Sequence, residues 1–389
     1  MSSPENPDHA RATWLVGDLP LVITCGQTPS NAALGLPDAL PFTLELDPLS
    51  GTIRQQRSAV VEQSLRAGYG EGAVISGSMD DAGLGQRYAG DFLAYVERVI
   101  PSLGGKRILE IGCGTGYLLS LLRDRGATVV GIEPGPQGKI GAQRFGVRVV
   151  QGFFPEPAVP GPFDIVIAHA VLEHCADPMA FLASIRAALA ENGHVLFAVP
   201  NCEPHLLAGD LSCLLHQHWS YFTAESLQAL TARAGLHAAV EQAKLAGTLY
   251  CTATPGSSNS RPVPAGELPS ITRYRERSLA MLQRLAAVLA ASAAGGRSVG
   301  IYVPGRLINA LAVGRQQLPA VELRFFDDDP DLRGRFYPGF PVVIEGWQDY
   351  VARPVDTMLV MSNTFGHVIR DRLDRLGRSE VKLWRDFFQ

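Results

Sequence analysis

The chain has 389 residues, of which 46% are apolar and 19% charged, and this composition predicts two to three globular domains and excludes a disordered chain. Its 34 basic and 38 acidic side chains give a net charge of -4 and are spread along the sequence, which argues against a surface for nucleic acid. The polar start and the short apolar runs predict neither a signal peptide nor a membrane span, so we expect a cytoplasmic protein.

The N-terminal part reads as a series of short elements. Residues 1–60 contain short apolar runs separated by turns, which predict a small module of a few strands. Residues 77–100 predict a helix that leads into the next region.

From Lys106 onward, short β-branched runs alternate with helical stretches, and this alternation predicts buried parallel strands. Between two of them, Asp177 can cap a helix and Pro178 suits its first turn. The fold class is therefore α/β, with a doubly wound, Rossmann-like sheet. The predicted strands are RILEI (107–111), TVVGI (128–132), VRVVQ (147–151), FDIVIAH (163–169) and GHVLFAV (193–199).

The last third of the chain predicts a second unit. Residues 254–270 are rich in Pro, Gly and Ser and predict a linker. The run ITRYRERSLAMLQRLAAVLAASAA then predicts one long helix, and SVGIYVP, VELRFFDD and DTMLVMSN predict strands of a smaller α/β unit. The predicted domains are therefore 1–60, 61–253, the linker 254–270, and 271–389.

The six cysteines are dispersed and form no close pair, so we expect reduced thiols and no metal site built on them.

The main candidate site begins directly after the first strand of the sheet. Glu110 ends that strand, and a glycine-rich turn opens the following helix, where bare backbone allows a ligand to approach closely. Glu133 ends the next strand, where its carboxylate can accept both hydroxyls of a ribose. The three glycines of the turn are Gly112, Gly114 and Gly116.

Two later strand ends add to this site. Gly152 and Phe153 follow the third strand, where a small residue and an aromatic ring can bracket an adenine. His169 ends the fourth strand at the edge where ligands of open α/β sheets bind. The alternative is that the glycines serve packing alone and that Glu133 is a solvated strand end.

The segments LEIGCGTGYLLSLL, GIEP and FDIVIAHAVLEHCADP resemble the class I S-adenosylmethionine-dependent methyltransferases over residues 105–200. The resemblance implies S-adenosylmethionine as cofactor, with Glu110 and the glycine turn at its methionine end. It implies Glu133 at the ribose with Pro134 following, Gly152 and Phe153 at the adenine, and His169 near the sulfonium.

A nicotinamide dehydrogenase is the competing interpretation of the glycine turn. Such enzymes typically show GxGxxG, whereas the glycine spacing here is different. The leading carboxylate of Glu110 would also repel a pyrophosphate, which needs bare N–H groups at a helix start.

The part of the site that would bind the methyl acceptor is predicted from residues 201–222, which follow the fifth strand. This segment carries His205, His216, His218, Trp219 and Tyr221. Histidine can remove a proton from a substrate near neutral pH. His216 and His218 stand on either side of Gln217, so their rings share a face if the segment is extended. A hydrogen-bonded pair without catalytic role is the alternative. A metal site from these histidines and a cysteine matches no standard spacing, so none is predicted.

The element HQHWSYFTAESLQALTARAGL, with GIYVPGRLINAL, FFDDDPDLRGRFYPGFPVV and MLVMSNTFGHVI, resembles the three-part C-methyltransferases of deoxysugar biosynthesis over residues 60–389. The resemblance implies His218 as the base that removes a proton beside a keto group, with His216 and His174 also matching. Gln217 stands where the family has glutamate, and Leu215 where it has tyrosine. The family's N-terminal module binds zinc through four cysteines, but only Cys25 precedes residue 110 here, so that module is absent or replaced.

The C-terminal unit carries Gly300, Gly305 and Asp327 in the order of a degenerate nucleotide site, but it lacks the full glycine fingerprint. We therefore expect it to form one wall of the acceptor cleft, with Arg306 and Asn309 as its contacts. Gln217 and Tyr221 complete the predicted substrate contacts.

These patterns lead to one functional hypothesis and two alternatives. The hypothesis is methylation of a small molecule, at carbon in a specialised-metabolite or sugar-like acceptor, with no nucleic acid or membrane partner. The alternatives are methylation of oxygen or nitrogen in a specialised metabolite, and a silent partner protein that binds the donor without turnover. A monomer and a homodimer both remain open.

Overall fold

The computed structural model describes residues 13–22, 25–70, 79–245, 247–256, 270–362 and 365–388. Within these ranges the strands are β1 (Thr13–Pro20), β2 (Ala39–Leu46), β3 (Ile53–Gln55), β4 (Arg107–Ile111), β5 (Thr128–Glu133), β6 (Val149–Gln151), β7 (Phe163–His169), β8 (Leu189–Pro200), β9 (Ser220–Tyr221), β10 (Leu236–Gln242), β11 (Thr248–Pro255), β12 (Val299–Tyr302), β13 (Leu323–Phe326), β14 (Ile344–Glu345), β15 (Thr357–Val360) and β16 (Glu380–Leu383). The helices are α1 (Ala59–Gly70), α2 (Gly83–Val99), α3 (Tyr117–Arg123), α4 (Gln137–Phe145), α5 (Pro178–Ala188), α6 (Glu203–Ala208), α7 (Ala224–Arg233), α8 (Ile271–Ala294), α9 (Ile308–Gly314), α10 (Trp347–Ala352) and α11 (Gly366–Asp374).

The chain divides into two compact units, neither of which is continuous in sequence. The described residues of the first unit come from Leu46–Cys202 and Gln217–Pro269. Those of the second come from Ala12–Glu45, Glu203–His216 and Ser270–Gln389. The predicted domains were consecutive stretches of the chain, and 1–60 was predicted as a separate module. In the structure, β1 and nearly all of β2 group with the C-terminal residues. Most of the predicted linker 254–270 lies outside the described residues.

The first unit contains a seven-stranded sheet in the order β10-β11-β8-β7-β4-β5-β6. Neighbouring strands pair in parallel along the series β8-β7-β4-β5-β6. At the other edge, β11 pairs antiparallel with β8, and β10 pairs antiparallel with β11. The chain order reverses on either side of β4, which is the switch point where ligands of open α/β sheets bind. The predicted α/β, Rossmann-like fold is confirmed.

Local sequence signals explain the entry to α5. The Asp177 side chain accepts a hydrogen bond from the Ala180 N–H at 2.9 Å, and Pro178 occupies the first turn, as predicted. Leu182 and Ile185 are fully buried in the core of the sheet. The helix ends at Ala188, so Leu189 begins β8 instead of extending the helical face.

The glycine turn is held close to α4. Gly112 has a φ of 67°, and a β-carbon there would lie 2.7 Å from a methyl of Val171. Gly141 lies in α4, and a β-carbon on it would lie 1.7 Å from the Thr115 carbonyl oxygen. Gly112 is favoured by its positive φ, which other residues rarely adopt. Gly141 is required by the close approach, because a backbone carbonyl cannot move aside as a flexible side chain can.

We expect Gly141→Ala to lower the free energy of unfolding by at least about 3 kcal/mol, because overpacking against backbone outweighs the helix propensity of alanine. The matched control is Gly90→Ala in α2, where no atom of the described residues lies within 4 Å of the added carbon. This control is expected to gain about 0.5–1 kcal/mol. Urea denaturation measures both, and equal effects would contradict the close approach.

The second unit contains a five-stranded parallel sheet in the order β14-β13-β12-β15-β16. Its core includes the fully buried Tyr302, Phe326 and Tyr350. Helix α8 spans the whole predicted run of the long helix, and β12, β13 and β15 lie within the three predicted strand segments. The strands β1 and β2 pair antiparallel in the same unit.

All six cysteines are free thiols, as predicted. Among the helices in the described ranges, none has the length and apolar character needed to cross a bilayer.

Candidate active site

The first unit contains a cavity of about 390 Å³ at the carboxyl ends of β4, β5 and β7. It lies at the switch point of the sheet, where the chain reversal leaves a crevice. Eleven of the sequence-predicted site residues line it: Glu110, Gly112, Gly114, Glu133, Pro134, Gly152, Phe153, His169, His174, Gln217 and His218.

Glu110 lies near the carboxyl end of β4, where it lines the cavity and is buried. Its Oε2 atom has no hydrogen-bond partner among the described residues. Burial, with the Glu133 carboxylate adding to it, raises the pKa of Glu110 well above its usual value. An unpartnered buried carboxylate is a natural binding partner for an ammonium group.

Glu133 is also buried, but its carboxylate is already held in place. Its Oε2 accepts the Gly114 N–H at 2.9 Å, and its Oε1 accepts the Gly135 N–H at 2.8 Å and the Gln137 amide at 2.9 Å. Burial raises the pKa of Glu133, while the two backbone hydrogen bonds act in the opposite direction. The carboxylate therefore ties the glycine turn to the end of β5 and orients its oxygens at the cavity.

Phe153 and His169, which the sequence predicts at the adenine and the sulfonium, have different surroundings. Phe153 is 52% exposed, with the Arg66 guanidinium 5.7 Å above its ring. His169 lines the cavity from the end of β7, and its ring contacts Phe92 edge-on at 5.0 Å. Burial lowers the pKa of His169 to about 4, so this imidazole is neutral at physiological pH.

Three titratable side chains, which we name the acceptor cluster, lie close together: Glu173, His174 and His218. The two histidines line the cavity, and Glu173 is buried beside them. The two imidazole rings meet edge-on at 4.9 Å. Burial lowers the pKa of His174 to about 4 and that of His218 well below its usual value, and it raises the pKa of Glu173 to about 8. Two neutral imidazoles, which can accept a proton, therefore adjoin a buried carboxyl group.

Backbone contacts hold this cluster together across the sequence. His174 donates through Nδ1 to the Gln217 carbonyl at 2.9 Å, and the Trp219 N–H donates to the Glu173 carbonyl at 2.7 Å. The Tyr221 hydroxyl donates to the His218 carbonyl at 3.0 Å. The segment after His216 is thus anchored to the turn that follows β7.

The remaining predicted residues lie away from the cavity lining. Gly116 caps the start of α3. Tyr221 is buried in β9, where its hydroxyl donates to the His218 carbonyl and its ring lies 6.5 Å from that of His218. His216 belongs to the second unit, where its Nε2 donates to the Leu19 carbonyl at 3.1 Å and its ring packs on Phe42. His216 and Gln217 form a turn, so the two histidines do not follow the alternation of an extended segment.

The two contacts predicted from the C-terminal part lie in the second unit. Asn309 donates to the carbonyls of Leu211 and Leu214 at 2.9 and 2.6 Å, which fixes the backbone of that segment. Arg306 is exposed, with Nη1 3.5 Å from the Ser212 hydroxyl. Their proposed contact with substrate stays a prediction.

Sequence reasoning missed several residues of the site. Glu173, which belongs to the acceptor cluster but does not line the cavity, was not singled out, because nothing in the local pattern shows that its side chain turns toward His218. The missed residues of the cavity wall are Met79, Ile111, Cys113, Thr115, Ile132, Gln137, Phe154, Ala170, Val171, Cys175 and Phe181. Most flank predicted residues in sequence, whereas Met79 carried no signal.

Comparison with known proteins finds similarity over part of the chain. Residues 85–241 match the family described as Methyltransferase domain. The ubiquinone biosynthesis O-methyltransferase of Vibrio parahaemolyticus serotype O3:K6 is 32% identical over 117 residues, which are 28% of this chain and 50% of that protein. The enzyme of the same description from Acinetobacter baumannii (strain AYE) is 30% identical over 123 residues, which are 29% of this chain and 51% of that protein. The chain spans about half the length of these curated relatives.

Among solved structures, the 1,6-didemethyltoxoflavin-N1-methyltransferase of Burkholderia thailandensis, with bound 1,6-didemethyltoxoflavin and S-adenosylhomocysteine, is 21% identical. The similarity covers 42% of this chain and 76% of that one, with a TM-score of 0.35. The family match over residues 85–241 supports the predicted methyltransferase domain, for which the predicted cofactor is S-adenosylmethionine. The residues of the cavity fit this cofactor, because the unpartnered Glu110 Oε2 can accept its ammonium group beside bare glycine backbone.

Proposed function

We propose that this protein transfers the methyl group of S-adenosylmethionine to a small-molecule acceptor bound beside the acceptor cluster. The observation that carries the proposal is that one cavity joins the buried carboxylates of Glu110 and Glu133 to the imidazoles of His174 and His218. The volume of about 390 Å³ lies within the range of small-molecule sites and favours a small acceptor over a macromolecule.

The cavity divides the work between its two ends. Glu110 binds the ammonium group of the donor, Glu133 binds its ribose, and Phe153 stacks on the adenine. The donor supplies an electrophilic methyl group on its sulfonium. The acceptor cluster promotes loss of the acceptor's proton. Most of the rate comes from holding the two reactants in line, which can contribute about 7–11 kcal/mol.

Carbon is the acceptor atom in the first candidate reaction. The support is the resemblance of the segment from His216 to Tyr221 to deoxysugar C-methyltransferases, together with the position of His218 in the cavity wall. That family has glutamate where this chain has Gln217. Here the Gln217 backbone carbonyl accepts a hydrogen bond from the His174 ring, a contact that does not depend on the side chain at this position.

Oxygen is the acceptor atom in the second candidate reaction. The curated relatives at 30–32% identity are described as O-methyltransferases, and their similarity covers 28–29% of this chain. A proton must leave the acceptor in both reactions, so the acceptor cluster suits either.

The test is incubation of the full chain with trideuteromethyl-labelled donor and a metabolite extract of its source organism, followed by mass spectrometry. We expect a product that carries the label, and its fragmentation places the label on carbon, oxygen or nitrogen. The matched control is the Glu110→Gln variant, which should form far less product. Donor binding without any labelled product across extracts would instead support a silent donor-binding protein.

We expect Glu133→Ala to weaken binding of S-adenosylhomocysteine about 100-fold, because two hydrogen bonds to a charged group contribute roughly 3 kcal/mol or more. Titration calorimetry measures this affinity. An analogue that lacks the ribose 2′-hydroxyl serves as control and should lose much less affinity on the same substitution. Equal losses for both ligands would show that Glu133 acts only by holding the glycine turn.

A further inference from the structure

The acceptor cluster brings together three side chains of types that bind metal ions. One ligand atom from each of Glu173, His174 and His218 lies within 4.8 Å of the other two. The Glu173 Oε1 and His174 Nε2 atoms are 3.9 Å apart, which is too long for a hydrogen bond. Two ligands that each lie about 2.0–2.2 Å from one cation are separated by roughly 3–4 Å. The spacing therefore suits a shared cation better than a direct contact.

A second observation points to a ligand at the same place. The Glu173 side chain is only 2% exposed, and its Oε2 atom has no hydrogen-bond partner among the described residues. A buried carboxylate oxygen without a partner is unfavourable unless a cation or donor satisfies it. Binding of a cation would satisfy this oxygen.

The orientation of His174 supports the same interpretation. Its Nδ1 is 2.9 Å from the Gln217 carbonyl, and a carbonyl oxygen can only accept, so Nδ1 carries the proton. The lone pair of the ring then lies on Nε2, the atom nearest Glu173. A backbone carbonyl that fixes the tautomer of a histidine in this way is typical of metal-ligating imidazoles.

We infer that Glu173, His174 and His218 bind a divalent transition-metal cation such as Zn²⁺ or Fe²⁺ at the acceptor end of the cavity. Two nitrogen ligands favour such ions over Mg²⁺, which prefers an all-oxygen shell. Three protein ligands leave coordination positions for water and for an oxygen of the acceptor. This site was not predicted from the sequence, whose histidine spacing matched no standard pattern.

The cation gives the acceptor cluster its chemical role, and this part of the inference rests on the proposed function. A cation-bound oxygen of the acceptor carries the negative charge that remains when the acceptor's proton passes to water. The acceptor then forms a bond to the methyl carbon as the carbon–sulfur bond breaks, and the electron pair of that bond goes to sulfur. The acceptor class is therefore a small molecule with an oxygen at or beside the methylated atom.

The test is titration of the chelator-treated full chain with Co²⁺, followed by visible absorption, and with Zn²⁺ and Mg²⁺, followed by calorimetry. We expect about one Co²⁺ per chain with an intense visible band, displacement by Zn²⁺, and much weaker binding of Mg²⁺. Glu173→Gln and His218→Ala should each weaken Co²⁺ binding by about 100-fold or more.

His205→Ala is the matched control, because His205 forms a separate pair with Asp210 at 2.7 Å in the second unit. This variant should bind Co²⁺ with unchanged affinity. Circular dichroism and calorimetry with S-adenosylhomocysteine establish that each variant is folded and keeps its donor site. The inference is overturned if the native chain binds no stoichiometric Co²⁺, or if Glu173→Gln and His218→Ala bind it as the native chain does.

The two proposals fail separately. A chain that binds S-adenosylhomocysteine but no transition metal keeps the proposed methyl transfer and loses the metal site. A chain that binds Co²⁺ through Glu173 and His218 but no S-adenosylhomocysteine keeps the metal site and loses the proposed function.

Discussion

Glu110→Gln is expected to weaken binding of S-adenosylhomocysteine by about 100-fold, because a charge-assisted hydrogen bond to the ammonium group contributes roughly 1.5–3 kcal/mol and the amide also presents a donor to this cation. The same substitution is expected to stabilise the ligand-free protein at neutral pH. The Glu110 carboxyl is buried and its Oε2 atom has no hydrogen-bond partner among the described residues, so ionising it opposes folding.

The pH dependence follows from the raised pKa of Glu110. A carboxyl whose pKa is raised on folding contributes stability that is fully present below its unfolded pKa and is lost as the pH rises through its folded pKa. Affinity for the ligand changes in the opposite direction, because only the ionised carboxylate attracts the ammonium group. Binding of S-adenosylhomocysteine by the native chain should therefore strengthen as the pH rises through this range.

Calorimetry between about pH 5 and 8 and urea denaturation at both ends measure these effects. The Glu110→Gln variant should show a flatter pH dependence in both measurements. Glu191→Gln, at an exposed position, is the control and should resemble the native chain. An affinity that Glu110→Gln leaves unchanged would remove Glu110 from the donor site.

His218→Ala is expected to lower kcat by about 10² to 10⁴-fold, the usual contribution of a positioned side chain that promotes loss of the acceptor's proton, as a base or as a ligand of the inferred cation. The affinity for S-adenosylhomocysteine should change only a few-fold, because the proposed donor contacts are made by other residues of the cavity wall. Single-turnover kinetics with the acceptor found by the labelled-donor experiment measure the chemical step directly.

His216→Ala separates the two histidines that the sequence could not distinguish. The ring of His216 lies against Phe42 and donates to the Leu19 carbonyl, so we expect a loss of about 1–3 kcal/mol in the free energy of unfolding. At a temperature where the variant is folded, kcat should stay close to that of the native chain. A loss of kcat as large as that of His218→Ala would restore the predicted catalytic role of His216.

The predicted donor residues that line the cavity could be found from the sequence because their positions are encoded locally. Glu110, the glycine turn and Glu133 lie at the ends of consecutive strands, and parallel strands bring their carboxyl ends to one edge of the sheet. The predicted strands 107–111 and 163–169 agree with β4 and β7 residue for residue. Strand β8 was predicted too short, because Leu189 satisfies the apolar period of a helix as well as that of a strand.

The acceptor half could not be predicted to the same depth. The grouping of Glu173 with His174 and His218 depends on two hydrogen bonds between segments far apart in sequence. The His174 ring donates to the Gln217 carbonyl, and the Trp219 N–H donates to the Glu173 carbonyl. Periodicity carries no information about such contacts. The division of the chain into units could not be predicted for the same reason. Ala12–Glu45 and Glu203–His216 group with the C-terminal residues, although they are far from them in sequence.

The sequence by itself determined the α/β class, the main strands of the first sheet along the chain, and several of the residues that line the cavity, and it predicted a methyltransferase domain. Apolar periodicity, glycine positions and capping residues act within a few positions of one another, so they are legible along the chain. Only the tertiary structure decided that His218 lines the cavity while His216 does not, and that Glu173 joins the cluster. The physical reason is that the burial and hydrogen bonding of these side chains are set by segments that meet only when the chain is folded.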